Sequence, residues 1–420
     1  MTEASAAPSL VLSAVRPWGG GLADVTLSGD RIAAITPHDP AAAPATTSGP
    51  VVPGRGRLLL PAFSDVHVHL DSTRLGLPFR PHSGGAGGIW NQVMNDREHW
   101  REAEWPVARR AAHTLELMIA RGVTRVRTYA QIDADSKLEK FEGVLHAKET
   151  HADRCDVAVM AFPQVGLLRE EGTLPLFEEA LQTGAVAVMG GIDPCTLDRD
   201  PVRHLDAVFG LAEKYHVPVD FHIHEPGELG VYSVDLILER TRALGMTGQV
   251  TISHGYALGG VSEATTRRLV DAFAELDVSM ATVAPSTDTA IPLVDLTRAG
   301  VRVGLGEDGQ RDYWSPYGNA DMLDRTWQLA FVNGFRHDHL IEHALAVATW
   351  GGASILDAEL PRLRSEHDRP GVAVGDPAEL VVVEGESPAA AVMDRSGDRT
   401  VIHAGRVVAD GGALIDQAAG

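Results

Sequence analysis

The 420-residue chain sets 57 acidic against 36 basic side chains, a formal net charge of -21, with 44% hydrophobic residues. This length and apolar content can bury a large core, while the negative balance excludes nucleic acid as a partner, because phosphate binding rests on Lys and Arg. Only Cys155 and Cys195 are present, and no stretch has the length of a membrane span or the form of a leader; a disulfide-stapled secreted fold is excluded, and a soluble, cytoplasmic protein without a membrane partner is expected.

Residues 10–15, 25–27 and 31–35 read as short strands broken by Gly19-Gly20-Gly21 and Gly29-Asp30. The end of the chain has the same character at residues 378–383, 399–404 and 405–409. The two terminal segments are therefore expected to meet in one small β-sandwich. The Ala-, Pro-, Thr- and Ser-rich stretch 41–49 reads as an exposed loop. The resulting division is residues 1–60 and 366–420 for the sandwich and 61–365 for the central domain.

Between the termini, apolar strands alternate with helical patterns, the sequence form of parallel βα units. Strands are predicted at residues 65–70, 123–129, 157–162, 185–189, 217–222, 250–254, 278–283 and 301–305. Eight such units favour a (β/α)8 TIM-type barrel, whose active site lies at the C-terminal ends of its strands. Helices at 107–121, 232–244 and 262–276 support the count, the first carrying Ala111, Leu115, Met118 and Ile119 on one face before Gly122. The first connection, 71–105, is long, with Gly84-Gly85-Ala86-Gly87-Gly88 followed by Trp90, Trp100 and Trp105. It reads either as a cover over the barrel mouth or as an excursion with its own small core.

Ionisable residues gather at those strand ends. In Leu60-Pro61-Ala62-Phe63-Ser64-Asp65-Val66-His67-Val68-His69-Leu70-Asp71, strand alternation points His67 and His69 the same way, as two ligands of one metal require. Gln164, His222 with Glu225, His254 and Asp308 end further strands. Taken singly, His254 also fits a core histidine bonded to a carbonyl, and Asp308 before Gly309 fits a turn. A third pair, His337-Asp338-His339, lies in a polar stretch and is assigned to solvent.

The segment Phe221-His222-Ile223-His224-Glu225 resembles the fifth-strand His-x-x-Glu motif of cytosine deaminase, and Ala161-Phe162-Pro163-Gln164-Val165-Gly166 resembles its substrate-binding Phe-Pro-Gln segment. Ser253-His254, Gly306-Glu307-Asp308 and the aromatic run Asp312-Tyr313-Trp314-Ser315-Pro316-Tyr317-Gly318 match its sixth and eighth strands, so the chain resembles the amidohydrolase superfamily over nearly its whole length. The resemblance implies one divalent metal ion per chain, zinc or iron, held by His67, His69, His222 and Asp308. It implies Glu225 as proton shuttle, His254 and Asp308 orienting the attacking water, and Gln164, Trp314 and His224 at the substrate. The fourth strand lacks the Lys of two-metal relatives, which leaves Asp193 and Glu307 as the outside candidates for a second ion. The other zinc deaminase architecture needs a Pro-Cys-x-x-Cys pair, which Cys155 and Cys195 do not form.

The implied activity is hydrolytic deamination of a small cytosine-like N-heterocycle. The alternatives are removal of an alkylamine from a triazine-like ring, opening of a cyclic amide, or an inactive barrel serving as a binding protein. Cytosine deaminase has a second acidic residue directly after its metal aspartate, whereas Gly309 stands here, so cytosine itself is in question. Homo-oligomerisation is compatible with exposed barrel helices, and no motif fixes it.

Overall fold

The computed structural model describes residues 9–41, 49–80 and 88–415. Most of the 41–49 linker and of the glycine run lies outside them. Eight parallel strands stand side by side in chain order: Phe63–Val68, Val123–Gln131, Asp156–Phe162, Val188–Ile192, Val219–Ile223, Val250–His254, Ser279–Thr282 and Val303–Leu305. The first and eighth meet: Asp308 donates its N–H to the His67 carbonyl at 2.8 Å, and His69 donates to the Asp308 carbonyl at 3.2 Å. These contacts bring residues 241 positions apart in sequence onto one rim, so barrel closure itself assembles part of the site.

The helices pack outside as their apolar faces require. Val107–Ala120 buries Ala111, Leu115, Met118 and Ile119 and stops before Gly122, whose φ of 101° admits only glycine comfortably. Gly227–Ala243 and Glu263–Glu275 occupy the other two predicted helical regions, the latter capped by the Ser262 side chain accepting from the Thr265 N–H.

Strands from both termini join in a separate mixed sheet of nine strands. Leu58–Pro61 pairs antiparallel with Leu380–Val383, tying the two ends of the chain together. Alternation divides this pair between two cores: Leu59, Leu380 and Val382 pack with Leu12, Val25 and Leu27, while Leu58, Leu60, Val381 and Val383 pack onto the barrel. Each such buried side chain stabilises the fold by about 1.5–3 kcal/mol, so the terminal sheet is anchored to the barrel through its apolar back.

The fourth barrel strand begins three residues later than its apolar run suggests and runs through Gly190-Gly191. These glycines do not break the strand. A Cβ at Gly190 would stand 2.6 Å from the Ala161 carbonyl, and one at Gly191 would stand 2.4 Å from the Phe221 ring, so close packing requires them. The first connection realises both expectations: a helix, Ile89–His99, flanks the barrel mouth, and Trp100 packs with Val107 and Tyr313 in a small core of its own. Among the described residues no helix is long and apolar enough to cross a membrane.

Candidate active site

His67 and His222 stand on inward-facing positions of the first and fifth strands, with His69, His254 and Asp308 at the ends of the first, sixth and eighth. The ligand atoms of His67, His222 and His254 lie within 4.8 Å of one another, as do those of His67, His69 and Asp308. His67 belongs to both groups, so the five side chains form one cluster. The Asp308 carboxylate stands 3.5 Å from His67 Nε2 and 3.4 Å from His69 Nε2. Asp193, His254 and Asp308 all hold positive φ, at 30°, 66° and 62°. Three such residues, at the ends of the fourth, sixth and eighth strands, mark backbone strain retained around a site.

The cluster is electrostatically arranged for a cation. Burial lowers the His67 pKa to about 4 against the raising effect of Asp308, and burial also lowers those of His69, His222 and His254. Burial by itself would raise Asp308, but His67 and the neighbouring imidazoles hold its carboxyl well below the usual range. Neutral imidazoles beside an ionised carboxylate are the protonation states that ligands need. His67 Nε2, both ring nitrogens of His222, and His254 Nε2 are buried without a hydrogen-bond partner among the described residues. Buried polar atoms are rarely left so, and a nitrogen-and-oxygen donor set of this kind suits zinc or iron. The residues therefore fit a divalent ion.

His224 and Glu225 take different places. His224 lines the cavity above the cluster, its ring 4.0 Å from that of His254, and its Nδ1 stands 2.8 Å from Asp193 Oδ2. Although burial works the other way, Asp193 raises the His224 pKa. The Glu225 carboxylate instead sits in a nest of donors. Oε1 accepts from Cys195 N–H at 2.9 Å, Thr196 N–H at 2.7 Å and Thr196 Oγ1 at 3.1 Å, and Oε2 accepts from Ser233 Oγ. Glu225 is not among the residues that line the cavity. Burial and the like charge of Asp193 raise its pKa, opposed by Ser233 and Thr196.

The cavity, about 330 Å³, is bounded by Gln164 after the third strand, Phe162, Ile192, Trp314, and by Ile89 and Val93 of the covering helix. Trp314 meets His69 edge-on at 5.2 Å between ring centres. A Cβ at Gly309 would lie 1.9 Å from Asp312 Oδ2 and 2.8 Å from Trp314 Nε1. The space beside Asp308 that a side chain at 309 would fill is thus already taken by Asp312, three residues further along. His254 is turned by Tyr256, whose hydroxyl is 3.0 Å from Nδ1, leaving Nε2 to face the cluster. His337 is exposed, and His339 stacks on it at 5.8 Å.

Sequence reasoning missed Tyr129, Asp193 as partner of His224, Tyr256, and the donors around Glu225. Tyr129 ends the second predicted strand, the same kind of position that flagged the histidines, but an aromatic there reads as core. Tyr256 stands two residues after His254, where an aromatic again reads as packing, while the Asp193 partner and the Cys195 and Thr196 donors come from a loop about 30 residues away that no local pattern encodes.

The sequence profile described as "Amidohydrolase family" matches residues 51–409. The chain is 29% identical over 398 residues to N-isopropylammelide isopropyl amidohydrolase of Pseudomonas sp. strain ADP, covering 92% of this chain and 93% of that protein. The crystal structure of N-isopropylammelide isopropylaminohydrolase from Burkholderia multivorans superposes with a TM-score of 0.86 at 35% identity, covering 97% of this chain and 100% of that one. That of 5-methylcytosine deaminase from Klebsiella pneumoniae, liganded with 5-fluorocytosine, superposes with a TM-score of 0.79 at 25% identity, covering 98% of each.

Proposed function

The chain belongs to the amidohydrolase family, hydrolases of carbon–nitrogen bonds other than peptide bonds, and from that premise we propose that it removes the exocyclic amine of a small N-heterocycle, cytosine-like in the broad sense, using one divalent ion, zinc or iron. The observation that carries this reading is the buried cluster of His67, His69, His222, His254 and Asp308, with unpartnered ring nitrogens, next to a cavity that also holds Gln164.

In this reading His67, His69, His222 and Asp308 hold the ion, which when bound brings water near neutral acidity. As water adds to the ring carbon that bears the amine, Asp308 and His254 orient it and take up its proton, the latter at Nε2. Gln164 pairs with the polar edge of the ring, and Trp314 forms the wall against it. The shuttle assigned to Glu225 from sequence passes to His224: Asp193 occupies Nδ1, and the imidazole lines the cavity, where Nε2 delivers a proton to the ring nitrogen or the leaving amine. Glu225, engaged by four donors, positions the loop after the fourth strand. Asp193 and Glu307 are each engaged elsewhere, by His224 and by Gln310, which favours one ion over two.

One observation favours an alkylamine over ammonia as the leaving group. Ile89, Val93, Phe162 and Ile192 give the cavity an apolar wall. Such a wall suits an N-alkyl substituent, and two relatives are named for N-isopropylammelide. The test is to offer metal-loaded protein a panel of cytosine, aminopurines, pterins, amino-triazines and their N-alkyl derivatives and to identify products. Release of ammonia or alkylamine supports the reading and decides between its two forms. Ring opening, or no turnover with metal bound, refutes it.

A further inference from the structure

A buried polar column runs through the barrel beneath the cluster. Tyr129 Oη lies 2.7 Å from His67 Nδ1 and 3.2 Å from Ser253 Oγ, and Ser253 Oγ lies 2.7 Å from Asp220 Oδ1. Asp220 Oδ2 is 2.7 Å from an Arg127 terminal nitrogen, and Arg127 is itself fixed by Nε donating to the Val66 carbonyl at 3.0 Å. All five side chains are buried. Barrel interiors of this fold are ordinarily filled with branched apolar residues, and a buried ion pair is weak as a source of stability. The column therefore calls for another reason.

Its hydrogen-bond directions are forced. Asp220 turns Oδ2 to the Arg127 guanidinium and accepts from Ser253 Oγ at Oδ1, so Ser253 spends its proton on Asp220. Tyr129 must then donate to Ser253, and the tyrosine oxygen is left to accept from His67 Nδ1–H. The imidazole is thereby fixed with its proton on Nδ1 and its lone pair on Nε2, the nitrogen that faces Asp308 at 3.5 Å. We infer that Tyr129, Ser253 and Asp220 form a one-way hydrogen-bond chain that sets the tautomer and orientation of His67 and so its readiness to take a divalent cation. The three are positioning residues, and the inference rests on His67 being a metal ligand.

The test is a titration of chelator-stripped full-length protein with Zn²⁺ against a competing chelator, with thermal unfolding of the stripped proteins measured alongside. Tyr129→Phe keeps the ring that packs 4.4 Å from His222 and 4.4 Å from His67 and removes only the hydroxyl. Outer partners of metal-bound histidines are typically worth about 10–100-fold in affinity. Tyr129→Phe is expected to weaken Zn²⁺ binding by about that factor with the stripped protein equally stable. Ser253→Ala weakens binding less, and the double variant binds about as Tyr129→Phe does, because links of one chain are not additive. Ser253→Ala keeps the test decisive if Tyr129→Phe does not fold. Affinities within about twofold of the parent, or losses that simply multiply, overturn the chain. Failure of the parent itself to bind Zn²⁺ overturns the ligand reading beneath it, a distinguishable result.

Discussion

Replacing Glu225 with Gln separates two roles that sequence alone runs together. The side chain accepts from Cys195 N–H at 2.9 Å, Thr196 N–H at 2.7 Å, Thr196 Oγ1 at 3.1 Å and Ser233 Oγ. Glutamine can keep this arrangement: its carbonyl replaces Oε1 for the first three donors, and its NH₂ turns the Ser233 contact round. What is lost is the charge that strengthens each bond. Charged hydrogen bonds are worth about 1.5–3 kcal/mol and neutral ones about 0.5–1.5. Part of the difference is recovered because the like charge of Asp193 no longer opposes it. Glu225→Gln is therefore expected to lose about 1–3 kcal/mol of stability in urea unfolding, while kcat on the substrate found by the panel falls less than about tenfold, under ~1.4 kcal/mol of barrier. A proton shuttle would lose about 10²–10⁴ in kcat. A loss of that size with metal content unchanged would refute the assignment of Glu225 to positioning and return the shuttle to it.

Gly309→Ala puts a Cβ 1.9 Å from Asp312 Oδ2 and 2.8 Å from the Trp314 indole nitrogen. Overpacking of this kind costs about 1–3 kcal/mol, and because Trp314 borders the cavity the expected readout is a KM raised about 5- to 150-fold; an unchanged KM would remove Trp314 from the substrate wall. In the terminal sheet, His403 Nδ1 stands 3.0 Å from Glu379 Oε2, and although burial works against it Glu379 raises the His403 pKa above 6.5. Stability from this histidine is full below its unfolded pKa and is lost as pH rises through the raised folded value. In urea unfolding at about pH 6 and about pH 9, the parent should outlast His403→Gln by more at the lower pH. An equal gap at both would contradict the pairing.

The barrel was legible because buried parallel strands write themselves as apolar runs, and the ends of those runs carried His67, His69, His222, His254 and Asp308. Both halves of the terminal sheet were visible by the same logic. The fourth strand was misplaced because Gly190 and Gly191 look like punctuation, and only the approach of the Ala161 carbonyl and the Phe221 ring explains them. Glu225 was read by its distance from His222 along the strand, but its direction is set by backbone N–H groups 29 and 30 residues away. Gly309 read as a missing carboxylate. The fold shows that the loop returns Asp312 to the same space, a contact that no strand or helix period announces.

The most direct test of the central claim is to strip the protein with a chelator and titrate Zn²⁺ back while following amine release from the substrate identified by the panel. The cluster predicts that activity is absent from the stripped protein, rises linearly with added ion and breaks at one equivalent per chain. Full activity without metal, or a break at two equivalents, would contradict it.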